Sequence, residues 1–180
     1  SNKKGTYIWF VYSLGKVTRW DGLISYNPVW DRRHNINVVF TQVFDKEGKW
    51  EVNARWNFGS GLPFTQTQGY YAPITQTSIS GNPYNYNPTE LDYVYSALNT
   101  GRLPTYHRLD LSLKRKFTFK KEIINPETEK KESKLLSEIE ATLGVTNAYN
   151  RANVFYVERS TQEVVNQLPI IPTLGFTWAF

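Results

Sequence analysis

Along most of the chain, apolar and polar residues alternate one by one, which is the spacing of a strand with two chemically different faces. Between positions 50 and 59, Trp50, Val52, Ala54, Trp56 and Phe58 alternate with Glu51, Asn53, Arg55, Asn57 and Gly59. Residues 108–117 repeat the pattern, with Leu109, Leu111, Leu113 and Phe117 opposed to Arg108, Asp110, Ser112, Lys114 and Lys116. Residues 135–145 set Ile139, Ala141, Leu143 and Val145 against Glu138, Glu140 and Thr142. Residues 173–180 set Leu174, Phe176, Trp178 and Phe180 against Thr173, Gly175, Thr177 and Ala179. Two earlier stretches behave alike. Residues 6–17 carry Ile8, Phe10, Tyr12 and Leu14 on one face, and residues 34–44 carry Ile36, Val38 and Phe40. Six long strands are therefore predicted, with a short hairpin of 153–158 and 163–168 before the last. Residues 127–140 are charged enough to suggest a helix, but Pro126 and the alternation after Leu135 argue against a long one.

The connections are of two kinds. Asp45-Lys46-Glu47-Gly48-Lys49 reads as a tight hairpin turn with Gly where a positive φ is needed. Residues 65–102 form a long segment rich in Tyr, Asn, Gln, Thr, Pro and Gly, and connections of that length are usually functional. Short turns at one end and long loops at the other are the asymmetry of outer-membrane barrels. The 117–135 connection is expected to break that rule, being long at the short-turn end. Nothing divides the chain into domains, so residues 1–180 are read as one unit.

Composition adds an aromatic excess of 6 Trp, 12 Tyr and 10 Phe. Aromatics favour strands and membrane interfaces, and Trp9, Trp20, Trp30, Trp50, Trp178 and Phe180 are expected near strand ends, as in a girdle. No apolar run is long enough for a transmembrane helix, but a membrane-spanning strand needs only about 9–11 alternating residues. In a soluble sandwich the apolar faces meet each other; in a barrel they meet lipid, and the polar faces line a lumen. Strand length, the aromatics and the opposite-sign polar set favour lipid. Six strands do not close a single-chain barrel, and open edges in lipid are costly, so further strands are expected. The chain has no Met, which reads as processed or partial, and an export signal would lie upstream. It has no Cys either, which excludes disulfides and thiolate sites.

The +5 formal charge does not mark a nucleic-acid binder, because the Lys cluster over 114–134 is interleaved with Glu122, Glu127, Glu129 and Glu132. Glu51, Arg55, Arg108, Asp110, Glu138 and Glu140 share the polar face and are expected to form an ion-pair network rather than an acid/base pair. His34 and His107 lack the companions of a metal site and are expected to hydrogen-bond at strand starts. Gly59-Ser60-Gly61 is a strand-end turn, not a nucleophile elbow. Tyr70, Tyr71, Tyr84, Tyr86, Tyr93 and Tyr95 in the long loop admit two readings, a ligand-contacting surface or the self-packing of a folded loop.

Several segments resemble one family. Asp31-Arg32-Arg33-His34-Asn35-Ile36-Asn37 is similar to a "DRRHxLN" strand start. Residues 56–65, Trp-Asn-Phe-Gly-Ser-Gly-Leu-Pro-Phe-Thr, are similar to a "Y-G-S-G-x-P-Y/F-T" strand exit. Residues 102–111 are similar to "R-L-P-x-Y-x-R-L-D-L", and 144–153 to "x-V-x-N-x-Y-N-x-x-N". Thr173, Gly175, Trp178 and Phe180 match a polar-x-Gly-x-x-apolar-x-aromatic signal read by the barrel assembly machinery. In this order they resemble the C-terminal barrel region of TonB-dependent receptors of Bacteroidetes-type bacteria. The resemblance implies an all-β antiparallel transmembrane β-barrel, of which these are six consecutive C-terminal strands of a 22-strand whole. The plug domain and earlier strands are absent from residues 1–180. It further implies a multi-pass outer-membrane receptor importing a scarce nutrient: siderophore, vitamin, glycan or peptide. Its partners would be the rest of the barrel and its plug, the TonB complex through the plug, the assembly machinery, lipid and lipopolysaccharide, and a surface lipoprotein. No cofactor, metal, catalytic residue or nucleic acid is expected. The alternatives are a structural or scaffold barrel component of an envelope complex and a soluble β-sandwich binding module.

Overall fold

A computed structural model describes residues 2–3, 5–45, 47–72, 91–124 and 131–180, and of 2–3, 121–124 and 131–135 the backbone alone. The described residues are all-β. Six long strands, β1 (Thr6–Leu14), β2 (His34–Val43), β3 (Trp50–Gly59), β4 (Tyr106–Ile124), β5 (Lys131–Thr146) and β6 (Ile171–Ala179), form one antiparallel sheet. Each pairs with its neighbour in sequence, so the chain simply runs up and down; Asn2–Lys3 adds a short strand to the outer edge of β1. Among the described residues the sheet does not close on itself.

Strand ends have local causes. β1 stops at Leu14, short of the expected Val17, because Gly15 N–H turns to Arg33 O (3.0 Å) and Val17 N–H to the Asp31 carboxylate (2.9 Å). After β2, the Asp45 carboxylate accepts from Lys49 N–H (2.6 Å) and Trp50 N–H (3.2 Å), and Gly48 takes a φ of 69°. That is the turn chemistry expected of this segment.

The long 117–135 connection is a correction. β4 runs on to Ile124 and β5 begins at Lys131, paired as far as Ile124 with Lys131. Only 125–130 lie between them. Leu136 is an extra residue in β5, because Phe119 faces Ser137 while Lys120 faces Leu135. This bulge inverts the parity of the strand, so an alternation followed through it falls out of step. The pair also outruns its neighbours. β3 pairs with β4 only as far as Arg115, and β6 meets β5 only from Glu138, which leaves a two-stranded ribbon beyond the short-turn end.

The register assigns the faces. One face gathers Phe10, Val38, Trp56, Leu109, Leu111, Leu143 and Phe176; the other gathers Asn37, Asn57, Arg55, Asp110, Lys114 and Glu140. β1 is apolar on both sides, since Tyr7, Trp9 and Val11 point with the polar face. Among the described residues no large hydrophobic side chain is buried; the buried polar ones are Asp31, Asn99, Asn147 and Asn153, and Pro28 and Pro63 are buried beside them. Phe176, for example, is 76% exposed.

Candidate functional site

Five of the six residues expected in the polar-face network are joined there by ion pairs, and two lysines on β4 do most of the joining. Lys114 Nζ lies 3.8 Å from Glu51 Oε1 and 3.7 Å from Glu140 Oε2; Lys116 Nζ lies 2.7 Å from Glu138 and 3.3 Å from Glu140. β4 sits between β3 and β5, so its cations fall between their carboxylates. Alternation alone puts Lys114 and Lys116 on the polar face; only strand order shows that they lie between carboxylates. A second cluster lies nearer the loops, where Arg108 grips Asp110 at 2.9 Å and Asp110 accepts from Asn147 N–H at 3.0 Å. Arg55 faces Asp110 in the register yet joins neither cluster. These side chains are about a quarter to a third exposed, so each pair is worth little alone, and their effect is to fix the register.

Above the sheet, buried polar groups tie loops to strands. Arg102 donates to the Asp31 carboxylate and to the carbonyls of Asp31 and Gly61, each 3.1 Å away. The Val17 N–H and then Arg102 hold the Asp31 carboxyl below the usual carboxylate range. Asn153 accepts from His107 N–H (3.1 Å) and donates to His107 O (2.9 Å), standing in for a strand partner. Asn99 donates to Asn27 O, and Asn147 to the carbonyls of Arg151 and Leu168. The two histidines hydrogen-bond at the loop end of the apolar face: Tyr12 with His34 at 2.9 Å and Tyr149 with His107 at 2.7 Å.

The tyrosines divide. Tyr70, Tyr71, Tyr93 and Tyr95 lie on a hairpin of Thr67–Tyr71 and Asp92–Tyr95; Tyr84 and Tyr86 lie outside the described residues. The Tyr70, Tyr93 and Tyr95 rings follow one another at 5.6 and 6.0 Å. The Tyr70 hydroxyl donates to Arg159 O (2.7 Å), and Arg159 covers the Tyr95 ring at 5.0 Å. Tyr71 donates to Asp92 (3.0 Å), and that carboxylate raises its phenol above the ordinary value. Tyr70 and Tyr95 thus pack the 60–105 loop against the 147–170 loop, with the Tyr93 ring between them. A groove of about 460 Å³ between the two loops has Phe64, Gln66, Leu103, Tyr156, Glu158 and Arg159 among its lining residues. No sequence signal joins those six, because they come from two loops.

At the short-turn end the apolar face carries an aromatic rim. Arg115 lies 4.6 Å from the ring centres of both Trp50 and Phe117, and Ile139 pairs with both Phe117 and Trp178. Trp9 corrects the girdle expectation: it lies mid-strand opposite Val39, on the polar-face side. Trp20 and Trp30 belong to the loop after β1, where Arg19 covers Trp30 at 4.6 Å. In β6, Thr173 packs on Gly144 of β5, Gly175 pairs with Thr142, and the Trp178 and Phe180 rings touch at 5.7 Å. Comparison with protein-family models, curated proteins and solved structures finds no match to the chain.

Proposed function

We propose that the sheet is part of the wall of an outer-membrane β-barrel, and that the barrel belongs to a TonB-dependent importer. The observation that carries the barrel reading is inverted burial: a regular antiparallel sheet with an exposed apolar face, a polar face with ion pairs, and no hydrophobic core among the described residues. Leaving a large apolar side chain in water costs about 1.5–3 kcal/mol relative to burying it, and the face holds many. Lipid covers such a face without a second sheet. The band also has a fitting height. From Leu109 to Phe117 is about 26 Å along the strand, or about 20 Å at a tilt of about 40°. From His107 to Phe119 it is about 30 Å by the same arithmetic, and these values bracket the roughly 25 Å band of known barrels. All long connections leave from the His34 and Tyr106 end, and the short turns from the Trp50 end.

The importer part rests on the ordered sequence resemblance. In that reading the chain supplies wall and loops, a plug fills the lumen, TonB delivers energy to the plug, and the loops capture a siderophore, vitamin, glycan or peptide. Native protein from its own host tests both parts. Detergent-dependent recovery with a heat-modifiable gel shift is expected, with a parent polypeptide far above the 20.9 kDa of this chain. Recovery in the aqueous fraction sinks the barrel. A barrel without a plug leaves the scaffold reading, which the overhanging β4–β5 ribbon favours as a surface for envelope partners.

A further inference from the structure

Near the loop end of the polar face, three guanidiniums line one concavity of about 380 Å³. Arg55 rises from β3 and Arg108 from β4, on diagonal positions of adjacent strands. Arg32 reaches in from the loop before β2. Its guanidinium lies over the Tyr106 ring at 5.7 Å, and a side chain at Gly59 would collide with it. The glycine therefore keeps open the space that the arginine occupies. Asn35, Asn37 and Asn57 form the floor on neighbouring strands.

The charges do not balance. Among the described residues Asp110 is the one carboxylate beside these arginines on the sheet, and it is engaged by Arg108 and by Asn147 N–H. Among the described residues, Arg32 and Arg55 have no carboxylate in ion-pair range. Two guanidinium forks thus converge over a floor of carboxamides with no carboxylate between them among the described residues. A guanidinium presents paired N–H donors that match the two oxygens of a carboxylate or phosphate. Cations held close together in a concave wall also raise the local concentration of anions.

We propose that Arg32, Arg55 and Arg108 form a cradle for an anionic solute that offers a carboxylate or phosphoryl group. Its role as a lumen-side acceptor of cargo rests on the proposed importer reading; the binding itself needs only the polar face. Arg55 is the principal free fork, Arg32 the second, and Arg108 is held in place by Asp110.

The test uses the full-length native protein in detergent, with inorganic phosphate and citrate as separate probes in equilibrium dialysis. Saturable binding of at least one is expected, and a preference between them separates phosphoryl from carboxylate chemistry. Arg55→Gln and Arg32→Gln are each expected to weaken it tenfold or more, the worth of one charge-assisted bond. Arg55→Lys should recover part of the loss, since it restores the charge but not the fork. Lys116→Gln, in the other cluster, should leave binding unchanged. An unshifted heat-modifiable band confirms that each variant is folded. The cradle is overturned if neither probe binds the wild type, because another segment of the polypeptide already fills it. It is overturned equally if Lys116→Gln weakens binding as much as Arg55→Gln. Aqueous recovery would defeat the barrel and leave the binding result standing.

Discussion

Asp31 is 1% exposed and ties two separate segments together at the loop end of the sheet. It closes the end of β1 through Val17 and anchors the 60–105 loop through Arg102. Because these contacts depress its folded-state pKa, their stabilisation is complete above the unfolded value of about 3.9 and is lost as pH falls through the folded value below it. A thermal midpoint followed from pH 7 to pH 3 should drop in acid for the wild type. Asp31→Asn should flatten that limb, and Asp31→Ala should cost about 2 kcal/mol at neutral pH, since Arg102 is partly exposed and its pair is less than fully buried. A pH profile identical in Asp31→Asn and the wild type would refute the clasp. The sequence marks Asp31 as the start of one segment and Arg102 as the start of another. Their pairing is invisible there because the chain between them carries no periodicity that measures distance.

At the scale of the element, the strands were legible and their neighbours were not. Period-2 alternation located all six strands, and β3 at both ends. It missed the continuation of β4 and β5 past Phe117, where the Leu136 bulge and consecutive charges hide the alternation. It also located the polar face, but not which cation lies between which carboxylates. The last strand yields an element-scale prediction. Trp178 pairs with Ile139, and Phe180 lies one residue beyond the last pairing, at Ala179. Deleting residues 178–180 should lower folded barrel in the outer membrane several-fold while synthesis continues, as read by heat-modifiability against total antigen. Unchanged folded barrel would remove the assembly role assigned to Thr173, Gly175, Trp178 and Phe180.

For the whole molecule the decisive relation is between the two ends of the sheet. The absence of cysteine makes the chain a clean background for labelling. Leu23, 92% exposed in the loop after β1, lies at the long-loop end, and Glu47 lies in the tight turn at the other. Leu23→Cys should react with a membrane-impermeant maleimide on intact cells, and Glu47→Cys only after the outer membrane is opened. Equal labelling of both would mean that the ends share a compartment. The lack of a hydrophobic core among the described residues has a last consequence, for how such a sequence drifts over generations. Interiors of globular proteins restrict side chains by shape, but a fluid solvent asks only for apolarity. Leu109, Leu111, Leu143 and Phe176 should accept almost any apolar replacement in a saturation-mutagenesis survey. Asn147, with no exposed surface, should accept nearly none. The slow-changing record of this fold would then lie in a handful of amides and one carboxylate at the loop end.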